Sequence, residues 1–306
     1  MPTLNMLWVE KHRPRELDQL VLDKQIRATL DKWIEAGEIP HALLVGITGS
    51  GKTTIARILT DKLDCKVLRL NASDDRGIDT VRGRIVNFLQ ASSPYQWKIV
   101  FLDEADQLTP DAQGALRNTM ERYSARGRFL MTANYEDKLI EAIQSRCQTL
   151  YFRPIEQKLV VRKIKEILDK EKVEYELTDL VRIVADSYPD IRAALNHAQK
   201  CVLNQRLTYD PMQNVGHEIL GMVKAGKLRE IRLLVAQTKP EFADLYRALF
   251  DACSGRFDGV PSPVPKPAVG QALLAIAEFA YRDAIVVDRE IQFAACCQRL
   301  MQFDGR

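Results

Sequence analysis

A chain of 306 residues with 44 lysines and arginines against 41 aspartates and glutamates carries a net charge of only +3. That excludes a uniformly basic nucleic-acid binder of the histone kind, but not a local stripe that grips phosphates. An apolar share of 46% supports a packed core and excludes wholesale disorder, and the length suits two or three domains.

The first residues show no signal-peptide pattern. No apolar run reaches a membrane span, the nearest (272–287) being interrupted by Glu278, Arg282 and Asp283. A soluble, intracellular protein with no membrane partner is expected. Six cysteines without a C-x-x-C pair fit a reducing compartment better than a zinc ribbon or a disulfide framework. The four histidines are scattered and suggest no metal site.

In chain order, Trp8-Val9-Glu10-Lys11-His12-Arg13-Pro14 opens the ordered region. The periodicity predicts a helix from Asp23 to Ala36, with Ile26, Leu30, Trp33 and Ile34 on one stripe and Gly37 as its stop. His41–Val45 reads as a short buried strand. Gly46-Ile47-Thr48-Gly49-Ser50-Gly51-Lys52-Thr53-Thr54 follows and satisfies G-x-x-x-x-G-K-[ST] at every required position. Glycines there let backbone N–H groups turn towards phosphates, Lys52 reaches the outer phosphates, and the Thr53 hydroxyl suits Mg²⁺. The helix that begins at Thr54 adds a dipole favourable to an anion.

A second strand is predicted over 66–70, then the polar loop Asn71–Gly77, then a helix from about Asp79 to Gln90. A third strand is predicted over 98–104, its continuous apolar run Ile99–Leu102 ending in Asp103-Glu104, as suits a parallel strand covered on both faces. Asp103 is the expected Mg²⁺ holder. Glu104, one residue on, is placed to aim at a water in line with the terminal phosphate and act as base. Thr109-Pro110 starts a further helix, and strands follow over 128–134 and 149–152. Asn134, at a strand end on the same sheet edge, suits the orientation of that water. Strands alternating with helices imply an α/β fold with a parallel, doubly wound sheet. Three domains are expected: an α/β nucleotide-binding domain over 1–153, a small helical lid over 154–214, and an all-helical domain over 215–306. No strand is expected after Arg153-Pro154. The proline-rich stretch 258–267 is expected to be extended, as a connection or simply a stiff loop.

These motifs in this order resemble the AAA+ ATPases, and most closely the sliding-clamp loader subunits of the replication factor C small-subunit type and their phage counterparts. The segment 8–14 is similar to the N-terminal box of that family, where Tyr is commoner at the His12 position. Asn71–Asp79 resembles the loop before its DNA-facing helix, and Asp111–Arg117 with Met120-Glu121 its helix after the acidic pair. Ser145-Arg146-Cys147 resembles its arginine-finger motif, and Pro189-Asp190-Ile191-Arg192 its sensor-two segment. Ile47-Thr48 stand where a proline pair is usual and Ser50 where Thr is usual. The cysteine cluster of the bacterial-type loaders is missing, so the resemblance is closer to the archaeal, eukaryotic and phage types.

The resemblance implies an ATP- and Mg²⁺-dependent hydrolase stimulated by DNA and clamp. Catalysis would involve Lys52, Glu104, Asn134, Arg192 in cis from the lid and Arg146 in trans on a neighbour's ATP. Trp8, Val9, Arg13 and Val21 would line the adenine, although plain packing serves Trp8 and Val9 equally well. Gly46, Thr48, Gly49, Ser50, Gly51, Lys52, Thr53 and Thr54 would hold the phosphates, with Thr53 and Asp103 on the metal. Arg76, Ile78, Arg82 and Arg84 would face the backbone of primer–template DNA without reading bases. Phe88-Leu89 through Tyr95 suit either a clamp contact or the core. The implied partners are a sliding clamp, primer–template DNA and other loader subunits in a ring-like, pentameric oligomer. The implied location is the cytoplasm, the host's for a phage chain, or the nucleus for a eukaryotic one. The alternative is a DNA-remodelling AAA+ motor such as a branch-migration helicase, which should end in a winged-helix module containing strands. A non-catalytic scaffold subunit fits less well with intact Lys52, Thr53, Asp103, Glu104 and Arg146.

Overall fold

The computed structural model describes residues 7–209, 215–255 and 262–303. They fall into two compact units, Met1–Tyr209 and Asp210–Arg306.

The first unit opens with α1 (Trp8–Lys11) and α2 (Lys24–Ala36). The Asp23 side chain caps α2 by accepting from the Gln25 N–H, and Gly37 closes it with φ +68°. Then come β1 (Ala42–Gly46), α3 (Lys52–Lys62), β2 (Cys65–Asn71), α4 (Val86–Gln90), β3 (Trp97–Asp103) and α5 (Pro110–Arg122). β4 (Gly127–Ala133), α6 (Glu141–Gln144) and β5 (Gln148–Phe152) complete a five-stranded, all-parallel sheet of order β2-β3-β4-β1-β5.

Period-two alternation sorts the side chains of this sheet. Leu43, Val45, Val100, Leu102, Phe129 and Met131 meet α5, α6 and the helix ending in α4 on one face. Ala42, Leu44, Ile99, Phe101 and Leu130 meet α2 and α3 on the other. Burial on both faces explains why these strands read as continuous apolar runs. Because β1, β3 and β4 run parallel and in register, their C-terminal ends share one edge, and that edge carries the phosphate loop, Asp103 and Asn134.

After Phe152 come α7 (Gln157–Glu171), α8 (Leu177–Ser187) and α9 (Ile191–Lys200), which gather a core of their own around Ile164, Leu168, Ile183 and Ala198. In the second unit, α10 (Val215–Lys224), α11 (Leu228–Thr238), α12 (Phe242–Cys253), α13 (Val269–Asp283) and α14 (Arg289–Met301) pack around Leu249, Ile276, Phe293 and Cys297.

Three details depart from expectation. The helix expected from Asp79 begins as a π-helical stretch, Thr80–Ile85, before continuing as α4. Gly83, the weakest helix former of the segment, lies at its centre, so little holds it to tight α pitch. Strands do occur after residue 154: β6 (Val202–Leu203) and β7 (Arg206–Leu207) form a hairpin. Its turn, Asn204-Gln205, has φ of +50° and +62°, and two-residue strands are too short to leave an alternation in the sequence. The expected extended stretch 258–267 lies partly outside the described residues. Its end is not extended: Lys266–Ala268 form a 3₁₀ turn with Pro267 in the first positions, where proline is tolerated.

At the start of β1, the His41 Nδ1 accepts the Phe129 N–H at 3.1 Å while its ring packs on Phe129. Burial, with help from the Arg128 charge, lowers its pKa from 6.5 to about 4. The unfolded chain therefore binds more protons between those values, and His41 makes stability rise with pH across that window and fall as acid protonates it. We expect the thermal midpoint of wild type to drop more between about pH 7 and about pH 5 than that of His41→Asn. Parallel curves for the two proteins would contradict this assignment.

Candidate nucleotide site

The turn from β1 to α3 is shaped by its glycines. Gly46 runs so close to β5 that a Cβ there would stand 2.5 Å from the Phe152 carbonyl oxygen. Gly49 and Gly51 have φ of +76° and +91°, which only glycine adopts without strain. The loop delivers Lys52 to the first turn of α3 with its side chain folded back. Its Nζ donates to the carbonyls of Gly46 and Ile47, both at 2.8 Å, and to Asn134 Oδ1 at 3.0 Å. Burial lowers the pKa of this ammonium, while Asp103 and Asp106 oppose the shift. Arg192 from α9 is close enough to push the same way as burial.

Thr53 donates its hydroxyl to Asp103 Oδ1 at 2.9 Å, and Thr132 donates to the same oxygen at 2.6 Å. The Thr132 Oγ also accepts the Glu104 N–H at 2.9 Å. Glu104 itself leaves β3 with φ +55°. One hydroxyl inside an apolar strand thus fixes both carboxylate residues, a role the sequence reading missed. Its signal was a polar side chain after the apolar run Phe129–Met131, two positions before Asn134. Asp106 was missed as well: it is buried, its Oδ1 accepts the Asn134 N–H at 3.3 Å, and its Oδ2 has no hydrogen-bond partner. Thr132→Val keeps the shape and removes both bonds. We expect the protein to fold and kcat to fall about tenfold or more, since an unpaired buried polar group costs about 1–3 kcal/mol. Wild-type turnover would show that Thr132 does no more than pack.

Beside the loop lies a cavity of about 150 Å³. Val9, Arg13, Val21 and Leu22 line it with Gly49, Ser50, Gly51, Lys52, Thr53 and Thr54, the connection after β5 supplies Ile155, and the helices beyond it supply Ile164, Arg192 and Leu195. Apolar walls next to a phosphate-binding turn suit a base attached to a polyphosphate. Trp8 does not line this cavity. It is buried with α7, α8 and α9, and its backbone N–H donates to Gln199 Oε1 at 2.8 Å. Lys11 and His12 both contact Glu171 at the end of α7. Burial alone would raise the Glu171 pKa, but hydrogen bonds from Lys11 and His12 outweigh it and hold it low. Thr48 is exposed at the tip of the loop.

The remaining expected residues lie elsewhere. Arg146, at the end of α6, donates to the Ala142 carbonyl at 2.6 Å and pairs with Glu121 of α5. Arg76 donates to the Ser73 carbonyl at 2.9 Å, Arg84 pairs with Asp75, and Arg82 is exposed. Ile78, half-buried, precedes the π-helical turn. Phe88 and Leu89 pack in or against the core of the sheet rather than standing clear of it.

Residues 42–155 match the ATPase family associated with various cellular activities (AAA). Among curated proteins, a replication factor C small subunit of Aeropyrum pernix is 39% identical over 246 residues, which span 78% of this chain and 74% of that protein. The chain belongs to the replication factor C small subunit family. A second relative, replication factor C subunit 5 of Homo sapiens, is 40% identical over 203 residues, or 64% of this chain and 60% of that protein. Among solved structures, the Thermotoga maritima RuvB Holliday junction branch migration motor superposes with a TM-score of 0.57 at 18% identity, covering 75% of this chain and 86% of that one. A further RuvB structure from that organism gives 0.58 at 19% identity, covering 78% and 91%. At such identity the likeness shows the fold alone: the replication factor C small subunit family shares its P-loop architecture with RuvB. Among the described residues, no helix is long and apolar enough to cross a membrane.

Proposed function

We propose that the chain is an ATPase subunit of a DNA sliding-clamp loader. The observation that carries this reading is the convergence of Lys52, Asn134, Thr53 and Asp103 beside an apolar cavity, in a chain whose relatives are named as replication factor C small subunits. Residues 1–153 form the nucleotide-binding domain, 154–214 a lid, and 215–306 a collar through which subunits assemble in a ring, a pentamer in this reading. The work takes place wherever DNA is replicated, in the cytoplasm or the nucleus.

The loop backbone from Gly46 to Gly51, with Lys52 and Thr54, binds the polyphosphate, while Val9, Arg13 and Val21 border the base. The Thr53 hydroxyl and the Asp103 carboxylate, 2.9 Å apart, are hard oxygen donors that fit Mg²⁺. That ion would neutralise charge on the outer phosphate oxygens. Glu104 takes a proton from the attacking water and Asn134 orients it. Arg192 contacts the outer phosphate from the lid, and Arg146 supplies charge to the site of the neighbouring subunit. Arg76, Arg82 and Arg84, with Ile78, follow the phosphate backbone of primer–template DNA. ATP binding then favours an open clamp gripped on DNA, and hydrolysis releases it.

The RuvB likeness raises a branch-migration motor as the competing reading. Against it, all described elements after residue 214 are helices, and none supplies the strands of a winged-helix module. The test is steady-state ATP hydrolysis with a cognate clamp, with primer–template DNA, and with both. Stimulation that needs both supports the loader. A rate that follows branched DNA and ignores the clamp supports the motor, and no hydrolysis in any assembly would return the chain to a scaffold.

A further inference from the structure

The N-terminus of α9 rests on the phosphate loop. Asp190 caps this helix, its Oδ1 accepting the Ala193 N–H at 2.9 Å. The same carboxylate lies against Gly49: a Cβ built on Gly49 would stand 2.0 Å from Asp190 Oδ1 and 2.6 Å from its Cγ. Gly49 is therefore held to glycine twice, by its φ of +76° and by a side chain that fills the space where a Cβ would go. Two residues after this contact, in the first turn of α9, comes Arg192, which lines the nucleotide cavity beside Gly49, Ser50 and Lys52.

We propose that Asp190 is the positioning residue for Arg192: by capping α9 and seating it on Gly49, it sets where the Arg192 guanidinium stands over the phosphate loop. This rests on the reading that Arg192 contacts the nucleotide. One atom carries both duties of Asp190: the Oδ1 that caps α9 is also the atom nearest Gly49. The cap needs only a short acceptor, whereas the seat on Gly49 needs a side chain long enough to span from the helix end to the loop. Serine caps about as well as aspartate, but its hydroxyl ends one bond short of the position from which Oδ1 meets Gly49. Asparagine keeps both the cap and the reach and removes the charge.

The test uses the full chain, assembled as it turns over ATP, with kcat, KM and the thermal midpoint measured for each variant. Asp190→Asn is expected to hydrolyse ATP within about twofold of wild type. Asp190→Ser is expected to lose about tenfold in kcat with KM changed less, at an unchanged thermal midpoint, because a misplaced phosphate-contacting group costs rate well before it costs folding. Added to Arg192→Ala, Asp190→Ser should lower kcat no further, the signature of two residues acting as one unit. Wild-type turnover of Asp190→Ser beside an impaired Arg192→Ala overturns the proposal and leaves the role of Arg192 standing. So do losses that multiply in the double variant, or an Asp190→Asn as impaired as Asp190→Ser. An Arg192→Ala that turns over as wild type overturns both.

Discussion

Glu104→Gln is expected to bind ATP and to hydrolyse it about 10²–10⁴-fold more slowly than wild type, the usual contribution of a positioned general base. The substitution is nearly isosteric, so it tests protonation chemistry rather than shape. Glu104 leaves the end of β3 with φ +55°, a conformation uncommon for any residue but glycine. The turn is held by its N–H donating to Thr132 Oγ, and Thr132 is in turn anchored on Asp103. Such a constraint maintains one side-chain exit direction at the sheet edge that Lys52 and Asn134 share. Single-turnover hydrolysis read beside nucleotide affinity separates the outcomes. A rate within a few-fold of wild type would mean that another group takes the proton, and Asp106, buried nearby with one carboxylate oxygen unpartnered, would be the next to substitute.

Arg146→Ala is expected to keep its own ATP affinity and to lose about 10³-fold or more of the hydrolysis that appears on assembly, as removal of a trans arginine does in other phosphoryl-transfer enzymes. Arg146 is not among the residues that line the cavity of its own chain. Its side chain is one-third exposed, at 34%, and its guanidinium is held by the Ala142 carbonyl and the Glu121 carboxylate. Two of its N–H groups are used in this way, and a guanidinium has five, so it arrives oriented with donors to spare. A mixing experiment makes the trans claim sharp. Arg146→Ala subunits retain an intact phosphate loop, and Lys52→Ala subunits retain an intact finger. Rings formed from both should hydrolyse ATP faster than either variant alone. A mixture no faster than its parts would place Arg146 in a local ion pair with Glu121 and nothing more.

Much of this site could be read from residue order, because the phosphate loop and the acidic pair are local motifs whose geometry follows from a strand, a turn and a helix. The sheet was readable for the same reason: Ile99–Leu102 is apolar throughout because both faces of the strand are covered. What could not be read depends on residues far apart in sequence. Thr132 resembles any strand threonine until β3 and β4 pair and bring it onto Asp103. Asp190 resembles any helix cap until α9 is set against Gly49. Trp8 illustrates the opposite case. Its motif suggested the base pocket, but a large apolar ring goes where most surface can be buried, and α7 to α9 offered more. The π turn at Thr80–Ile85 and the hairpin at Asn204-Gln205 were hidden because neither leaves a periodicity long enough to recognise.

The anchoring of Trp8 also bears on how the chain is made. Its backbone N–H is satisfied by Gln199, 191 residues further on, and Lys11 and His12 meet Glu171 after about 160 residues. At about 5–20 residues per second, ribosomal synthesis leaves Trp8 without its native shelter for roughly 10–40 s. A segment made well before its partners is thus among the last of its unit to be fixed, and during that interval Trp8 and Val9 are a natural target for a chaperone that binds short hydrophobic stretches.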